Sequence, residues 1–279
     1  RWAAAYCVGK ISRQAAWKVA FFRGQVVYGS ITRPGSMMAV GLSPDDLQPY
    51  LEEVQQSDPN GVLTIACFNS PKNQTVSGDS AMVDALKSLL DAKRIFARKL
   101  NLGKAYHSEH MKVFTDRYQA FMGSLEQGST VSQDQPIALF STFTGDILLD
   151  PSMDSSYWCA NMASPVKFEQ ALRALCYSPT EKQTSPNEGH ETPLQIDELI
   201  EIGSHGALRS AITETIDMAQ GITYHSTLDR NASGPDGILQ TVANLASKGY
   251  PVDIPSVNNA EELHGDSDLL VDLPPYPCN

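Results

Sequence analysis

Histidine is the one side chain whose unperturbed charge changes near neutrality, so the six histidines are the first places to look for proton chemistry. His107 and His110 fall in Ala105-Tyr106-His107-Ser108-Glu109-His110-Met111, between a strand-like and a helix-like segment, where working residues concentrate. Their i, i+3 spacing would suit a metal, but no cysteine, histidine or carboxylate stands at a companion spacing, and no metal site is expected. His205 lies in Gly203-Ser204-His205-Gly206, where a structural turn accounts for it at least as well as a catalytic role. His190, His225 and His264 have polar neighbours and read as surface residues. One cation stands out, because Arg23 closes the apolar run Val19-Ala20-Phe21-Phe22. It reads either as a last-turn charge complementing a helix dipole or as a guanidinium held for bidentate recognition of a carboxylate. The chain holds no Gly-x-Ser-x-Gly elbow, so the residues alone supply a candidate base without a nucleophile.

The elements that must position these residues follow from periodicity and punctuation. Trp2 to Cys7 reads as a helix stopped by Gly9, and Ser12 caps a second that ends near Arg23-Gly24. Residues 37–42 read as a strand, and Ser43-Pro44-Asp45-Asp46 opens a helix to about Gln56. Strands follow at Val62–Phe68 and Gln74–Ser77, then a helix through Ala81–Ala92 capped by Asp79, then a strand over Ile95–Leu102. The order β-α-β-β-α-β is that of a ferredoxin-like lobe. Beyond Gly103, helices are expected at Val113–Met122, Tyr157–Met162, Phe168–Cys176, Ala207–Met218 and Ile238–Lys248. Strands are expected at Ile137–Phe143 and Glu198–Ile202, with a polar surface loop at 178–192 and a linker from Asp266 to Asn279.

A formal net charge of −11 argues against a nucleic-acid partner, since phosphate recognition needs a basic face. Any anionic substrate must therefore meet its own local cation. No apolar run approaches the ~20 residues of a membrane span, and no signal peptide is visible. The five cysteines form no C-x-x-C pair and read as reduced thiols of a cytoplasmic protein, with Cys7, Cys67 and Cys159 in apolar runs as core candidates. The sequons at Asn73 and Asn231 read as chance matches. The chain opens inside a helical pattern and closes on Pro-Pro-Tyr-Pro-Cys-Asn, so a piece of a longer chain is expected.

Read together, several segments resemble the acyltransferase domains of polyketide and fatty-acid synthases. They are Ala3-Ala4-Ala5-Tyr6 with Gly9, Phe22-Arg23-Gly24, Met38-Ala39-Val40-Gly41-Leu42 and Asn69-Ser70-Pro71 with Val76-Ser77-Gly78-Asp79. Tyr106-His107-Ser108, Tyr157-Trp158-Cys159-Ala160-Asn161 with Ser164-Pro165-Val166, and Glu201-Ile202-Gly203-Ser204-His205-Gly206 complete the set. The closing Leu273-Pro274-Pro275-Tyr276-Pro277 is similar to the linker toward the dehydratase in fungal reducing synthases.

The resemblance implies an α/β fold: an α/β-hydrolase-like large subdomain, incomplete at its N-terminus, with an inserted ferredoxin-like α+β small subdomain. Residues 1–36 and 104–228 would form the large subdomain, 37–103 the small one, and 229–279 a terminal helix and linker. It also implies malonyl transfer from coenzyme A, through an acyl-serine, to the phosphopantetheine thiol of an acyl carrier domain. That serine would lie about two residues upstream of Arg1, leaving this chain inactive by itself, and Arg1 would stand at or beside the elbow's usual glutamate. His107 is then the general base, the Asn161 backbone carbonyl its orienter, Arg23 the partner of the malonate carboxylate and Tyr106 the aromatic of malonyl-selective members. His205 and Asn69 give structural support. No metal or redox cofactor is implied, and the neighbours on the chain would be a ketosynthase and a dehydratase. The rivals are a scaffold that has lost its chemistry and a stand-alone transacylase of fatty-acid synthesis.

Overall fold

Capping chemistry sets the first long helix. The Ser12 hydroxyl accepts from the Ala15 amide at 3.1 Å, satisfying one of the orphan donors at the N-terminus of α2 (Arg13–Val27). It follows α1 (Trp2–Cys7), beyond which Gly9 adopts a left-handed φ of 71°. The computed structural model describes residues 1–28, 33–129, 137–149, 153–177, 196–216, 221–230 and 234–257. The expected stop of α2 at Gly24 is corrected: the helix runs a further turn, to Val27. Val26 and Val27 are buried there, and a buried valine contributes about 1.5–3 kcal/mol against the ~1 kcal/mol cost of a helical glycine.

The next unit alternates strands and helices: β1 (Gly35–Val40), α3 (Pro44–Ser57), β2 (Leu63–Ser70), β3 (Asn73–Asp79), α4 (Ser80–Ala92) and β4 (Ala97–Lys99). Ser43 caps α3 through the Asp46 amide at 3.1 Å, with Pro44 in the first turn. Leu47, Leu51 and Val54 of α3 and Met82, Val83, Leu86 and Leu90 of α4 fall at helical spacing and pack on Met38, Val40 and Val76 of the sheet. The four strands lie antiparallel in the order β4-β1-β3-β2. The strand expected over Ile95–Leu102 shortens to three residues, since it is an edge where Arg98 and Lys99 point to water.

A 3₁₀ turn over Glu109–Phe114 leads into α5 (Thr115–Met122), so the helix expected from Val113 starts two residues later. Of the strand expected over Ile137–Phe143, only β5 (Phe140–Ser141) pairs, with β6 (Asp146–Ile147), around Gly145 at φ 87°. Then come α6 (Ser155–Ala163), β7 (Val166–Lys167) and α7 (Phe168–Cys176). The two-residue β7 is too short to carry a periodicity, so the sequence does not predict it. It extends the sheet by pairing parallel with β2, Cys67 opposite Val166 and Phe68 opposite Lys167. A second core joins α1, α2, α5 and α6 around Ala5, Val19, Met111, Tyr118, Trp158 and Met162.

Further on lie β8 (Glu198–Glu201), α8 (Arg209–Thr215), β9 (Thr223–Ser226), α9 (Gly234–Ser247) and α10 (Ile254–Val257). The chain separates into two compact units, Arg1–Asp197 with Arg209–Ile222, and Glu198–Leu208 with Thr223–Asn279. In the second, β8 and β9 run parallel, and Glu198 pairs with both Lys248 and His225, the latter at 2.7 Å. His225 is therefore buried rather than on the surface, because strand pairing draws it beneath a carboxylate. Cys7 is exposed, since α1 buries only Ala5. The loop at 178–192, the linker from Asp266, His190, His264 and the Asn231 sequon fall outside the described residues.

Candidate active site

His107 has a left-handed φ of 58°, a conformation costing a non-glycine residue about 1–2 kcal/mol. The Ser108 hydroxyl, buried beside it, donates to the Ala105 carbonyl at 2.7 Å and accepts from the His110 amide at 3.3 Å, bracketing His107 on both sides. Nδ1 of His107 lies 2.9 Å from the Ser164 carbonyl, which follows α6. A carbonyl only accepts, so Nδ1 carries the proton and Nε2 is left with a free lone pair. Burial first, and then the Arg1 and Arg23 charges, lower the ring to about 4, so it is neutral at pH 7 and able to receive a proton.

The Asn161 backbone acts on the His107 ring, and its side chain has a further set of partners that its motif does not imply. The 2.9 Å partner of the imidazole is Ser164, with the Asn161 backbone adding a smaller pull in the same direction. The Asn161 side chain, buried on α6, in addition gathers cations: its Oδ1 accepts from Nη1 of Arg1 at 3.0 Å and from Nη1 of Arg23 at 3.4 Å. Neither guanidinium has a carboxylate within salt-bridge distance among the described residues. A neutral amide oxygen shared between two cations leaves charge unmet, and such a place suits an anion. Arg23 projects from α2, held by the Tyr118 hydroxyl, which donates onward to the Val19 carbonyl at 2.9 Å. Burial lowers Arg23 from its ordinary value, and Tyr118 and Tyr106 offset part of that. Tyr106 packs against the helical core beside it.

The other expected residues make hydrogen bonds within their own hairpin or turn. Asn69 donates to Thr75 Oγ1 at 3.0 Å and to Asn73 Oδ1 at 3.3 Å across the β2–β3 hairpin. Nδ1 of His205 lies 3.2 Å from the hydroxyl of the adjacent Ser204, a contact within its own turn. That turn is organised by Glu201, which accepts from the Ala207 and Leu208 amides, both at 3.1 Å, and from the Tyr224 hydroxyl at 2.5 Å. Glu201 opens the same motif as His205, so its place is visible in the sequence but its function is not. Cys67 and Cys159 are each pushed up by burial to about 11 and remain thiols, unsuited to act as nucleophiles at neutral pH. Among the described residues no three histidines, cysteines or carboxylates gather as a metal would need.

Comparison with known proteins gives the family and the fold. Residues 2–246 match the acyl transferase domain family, and the chain belongs to it. It is 41% identical over 278 residues to the highly reducing polyketide synthase tazB of Aspergillus terreus, covering 99% of this chain and 10% of that protein. Against the highly reducing polyketide synthase Preu1 of Preussia isomera the identity is 38%, covering 99% and 11%. The chain thus spans about a tenth of the length of the curated relatives it matches, and it is an acyltransferase domain of the polyketide synthase kind. The acyltransferase domain from the second module of the salinomycin polyketide synthase shares the fold with a TM-score of 0.76 at 22% identity, covering 98% of this chain and 56% of that one. The domain from module 8 gives 0.73 at 24%, covering 90% and 53%.

Proposed function

We propose that this domain transfers a malonyl group from coenzyme A to the phosphopantetheine thiol of an acyl carrier domain, through an ester on a serine supplied by sequence preceding Arg1. The observation that supports it best is a neutral imidazole, its tautomer fixed by a backbone carbonyl, in the field of a guanidinium that has no carboxylate among the described residues. In the first half-reaction the serine oxygen attacks the thioester carbonyl while Nε2 of His107 takes its proton. Collapse breaks the C–S bond, and the departing thiolate receives that proton. The second half-reaction repeats these steps with the carrier thiol attacking the ester. Arg23 pairs with the free malonate carboxylate, and Tyr106 fills the space a 2-methyl group would need, a discrimination of about 1–3 kcal/mol.

No step requires a metal or redox cofactor. The strand order of residues 35–99 supports reading that segment as a ferredoxin-like lobe inserted in an α/β-hydrolase-like subdomain. Ketosynthase and dehydratase neighbours on one cytoplasmic synthase chain fit the same reading. So does the acidic charge, and no helix among the described residues is long and apolar enough to cross a membrane.

The test is loading with radiolabelled malonyl-coenzyme A. The 279-residue chain should take up no label, whereas the same chain extended upstream through the elbow should form the ester. Acylation of the shorter chain would reject the placement of the nucleophile. In the extended domain, Arg23→Ala should weaken malonyl loading while leaving acetyl loading nearly unchanged; equal loss of both rejects the carboxylate role. A non-catalytic scaffold is favoured instead if an upstream elbow lacks its serine.

A further inference from the structure

A second histidine lies three residues from the base and outside the steps above. His110 Nε2 sits 3.0 Å from Asp79 Oδ1, with side-chain exposures of 6% and 9%. The sequence predicts that Asp79 caps α4, but its side chain makes no capping bond. It turns instead to the loops: Oδ2 accepts from the Val62 amide at 2.7 Å, and Oδ1 also meets the Arg33 guanidinium. Its backbone amide donates to the Val62 carbonyl at 2.8 Å, so the carboxylate is fixed at both ends.

The same place receives the loop of His107. Asp79 is the register partner of Gly35 at the end of the β1–β3 ladder. A Cβ on Gly35 would lie 2.6 Å from the Ala105 amide nitrogen and 3.2 Å from His110 Nδ1, so the segment containing His107 presses on this corner of the sheet at both ends. Between those two anchors the chain holds His107 left-handed, a conformation that persists only where the surroundings over-determine it.

We propose that the buried Asp79–His110 pair is a positioning pair for the base: it anchors residues 105–110 to the end of the β1–β3 ladder and thereby fixes the backbone twist that aims the His107 ring at the Ser164 carbonyl. Neither residue touches the reacting atoms. The assignment of a catalytic role to His107 rests on the function proposed above, whereas the anchoring itself does not.

Two readouts separate those claims. The first is the ring titration of His107 by NMR in the 279-residue chain, which needs no nucleophile. His110→Ala should release the ring and raise its apparent pKa from the low native value toward the ordinary ~6.5, and His110→Gln, which still offers an N–H to Asp79, should restore the native titration. The second is malonyl transfer by the domain extended through the elbow, where His110→Ala should lower kcat by about tenfold with KM unchanged, a loss that His110→Gln largely reverses. Asp79→Asn keeps the size of the side chain and covers the case in which His110→Ala does not fold; it should shift both readouts in the same direction by less. Native ring titration and native kcat in folded Asp79→Asn would overturn the proposal, as would losses in His110→Ala that follow only the fraction of folded protein. If the extended domain transfers no malonyl at all, the functional reading falls while the titration still decides the anchoring.

Discussion

His107 is the proposed base, and the proton affinity of its ring is set by its neighbours. Burial and two guanidinium charges hold it near 4, and each acts by disfavouring the imidazolium. Removing a positive charge must therefore raise the value, so Arg23→Ala should move the acid limb of kcat/KM for acetyl transfer to higher pH. An acid limb left where it was would remove Arg23 from the electrostatics of the base. A carboxylate bound on Arg23 acts with the same sign, and the limb in kcat for malonyl should lie above that in kcat/KM. The depression also has a stability consequence. The unfolded chain binds more protons than the folded one between the ordinary 6.5 and about 4, so the contribution of this ring is complete above that window and is lost as pH falls through it. His107 and Arg23 stand out in the sequence by residue type and setting, whereas Tyr106, Asn161 and the proposed role of each are legible only through the motifs of the family resemblance. That the amide of Asn161, rather than its carbonyl, organises the two arginines is legible in neither way, because side-chain direction depends on the packing of α6 against α2.

At the scale of elements, glycines separate helices that tolerate change from strands that do not. Gly24 lies inside α2, and a Cβ added there would meet nothing within 4 Å, so Gly24→Ala should stabilise the chain by about 0.5–1 kcal/mol. Gly78 on β3 is the opposite case, since its Cβ would meet the Val62 carbonyl oxygen at 2.0 Å. Gly78→Ala should cost about 3 kcal/mol through forced backbone movement. Urea midpoints of the two variants check both signs, and a destabilised Gly24→Ala would mean that α2 does not run through to Val27. Caps, helical spacing and turn residues make β1 to α4 legible in the sequence. Boundaries differ where tertiary burial outweighs a local signal, at Val26 and Val27, or where an edge strand has a neighbour on one side only, at β4.

For the molecule as a whole, each of the two units carries its own tie between distant residues, ionic in the second and a strand pairing in the first. Glu198 is buried on β8, and burial by itself would raise its carboxyl. The hydrogen bonds from Lys248 and His225 outweigh that and hold it below the ordinary 4.5. The sign is that of a depressed carboxylate: stability is present above 4.5 and is lost as pH falls through the lower folded value. Protection factors of the β9 amides, taken against the intrinsic exchange rate at each pH, should fall on acidification below that point, and in Glu198→Gln they should already be low at pH 7. Slow exchange in the variant at neutral pH would show that the trio does not hold the β8–β9 pair. Unit 1 has its own tie, in which the parallel β2–β7 pairing joins residues about a hundred positions apart in sequence to one sheet.

The sequence by itself determined the chemistry-bearing residue types, the β-α-β-β-α-β order and the family, because each is written in local spacing or in an ordered set of motifs. Only the tertiary structure decided that the Ser164 carbonyl lies 2.9 Å from the imidazole, that Arg1 and Arg23 share one amide oxygen, and that the Asp79 side chain, at the N-cap of α4, faces His110 rather than a helix amide. These are contacts between residues 31 to 160 positions apart, and their partners are chosen by packing and by the need to satisfy buried polar groups, neither of which leaves a periodic trace in the chain.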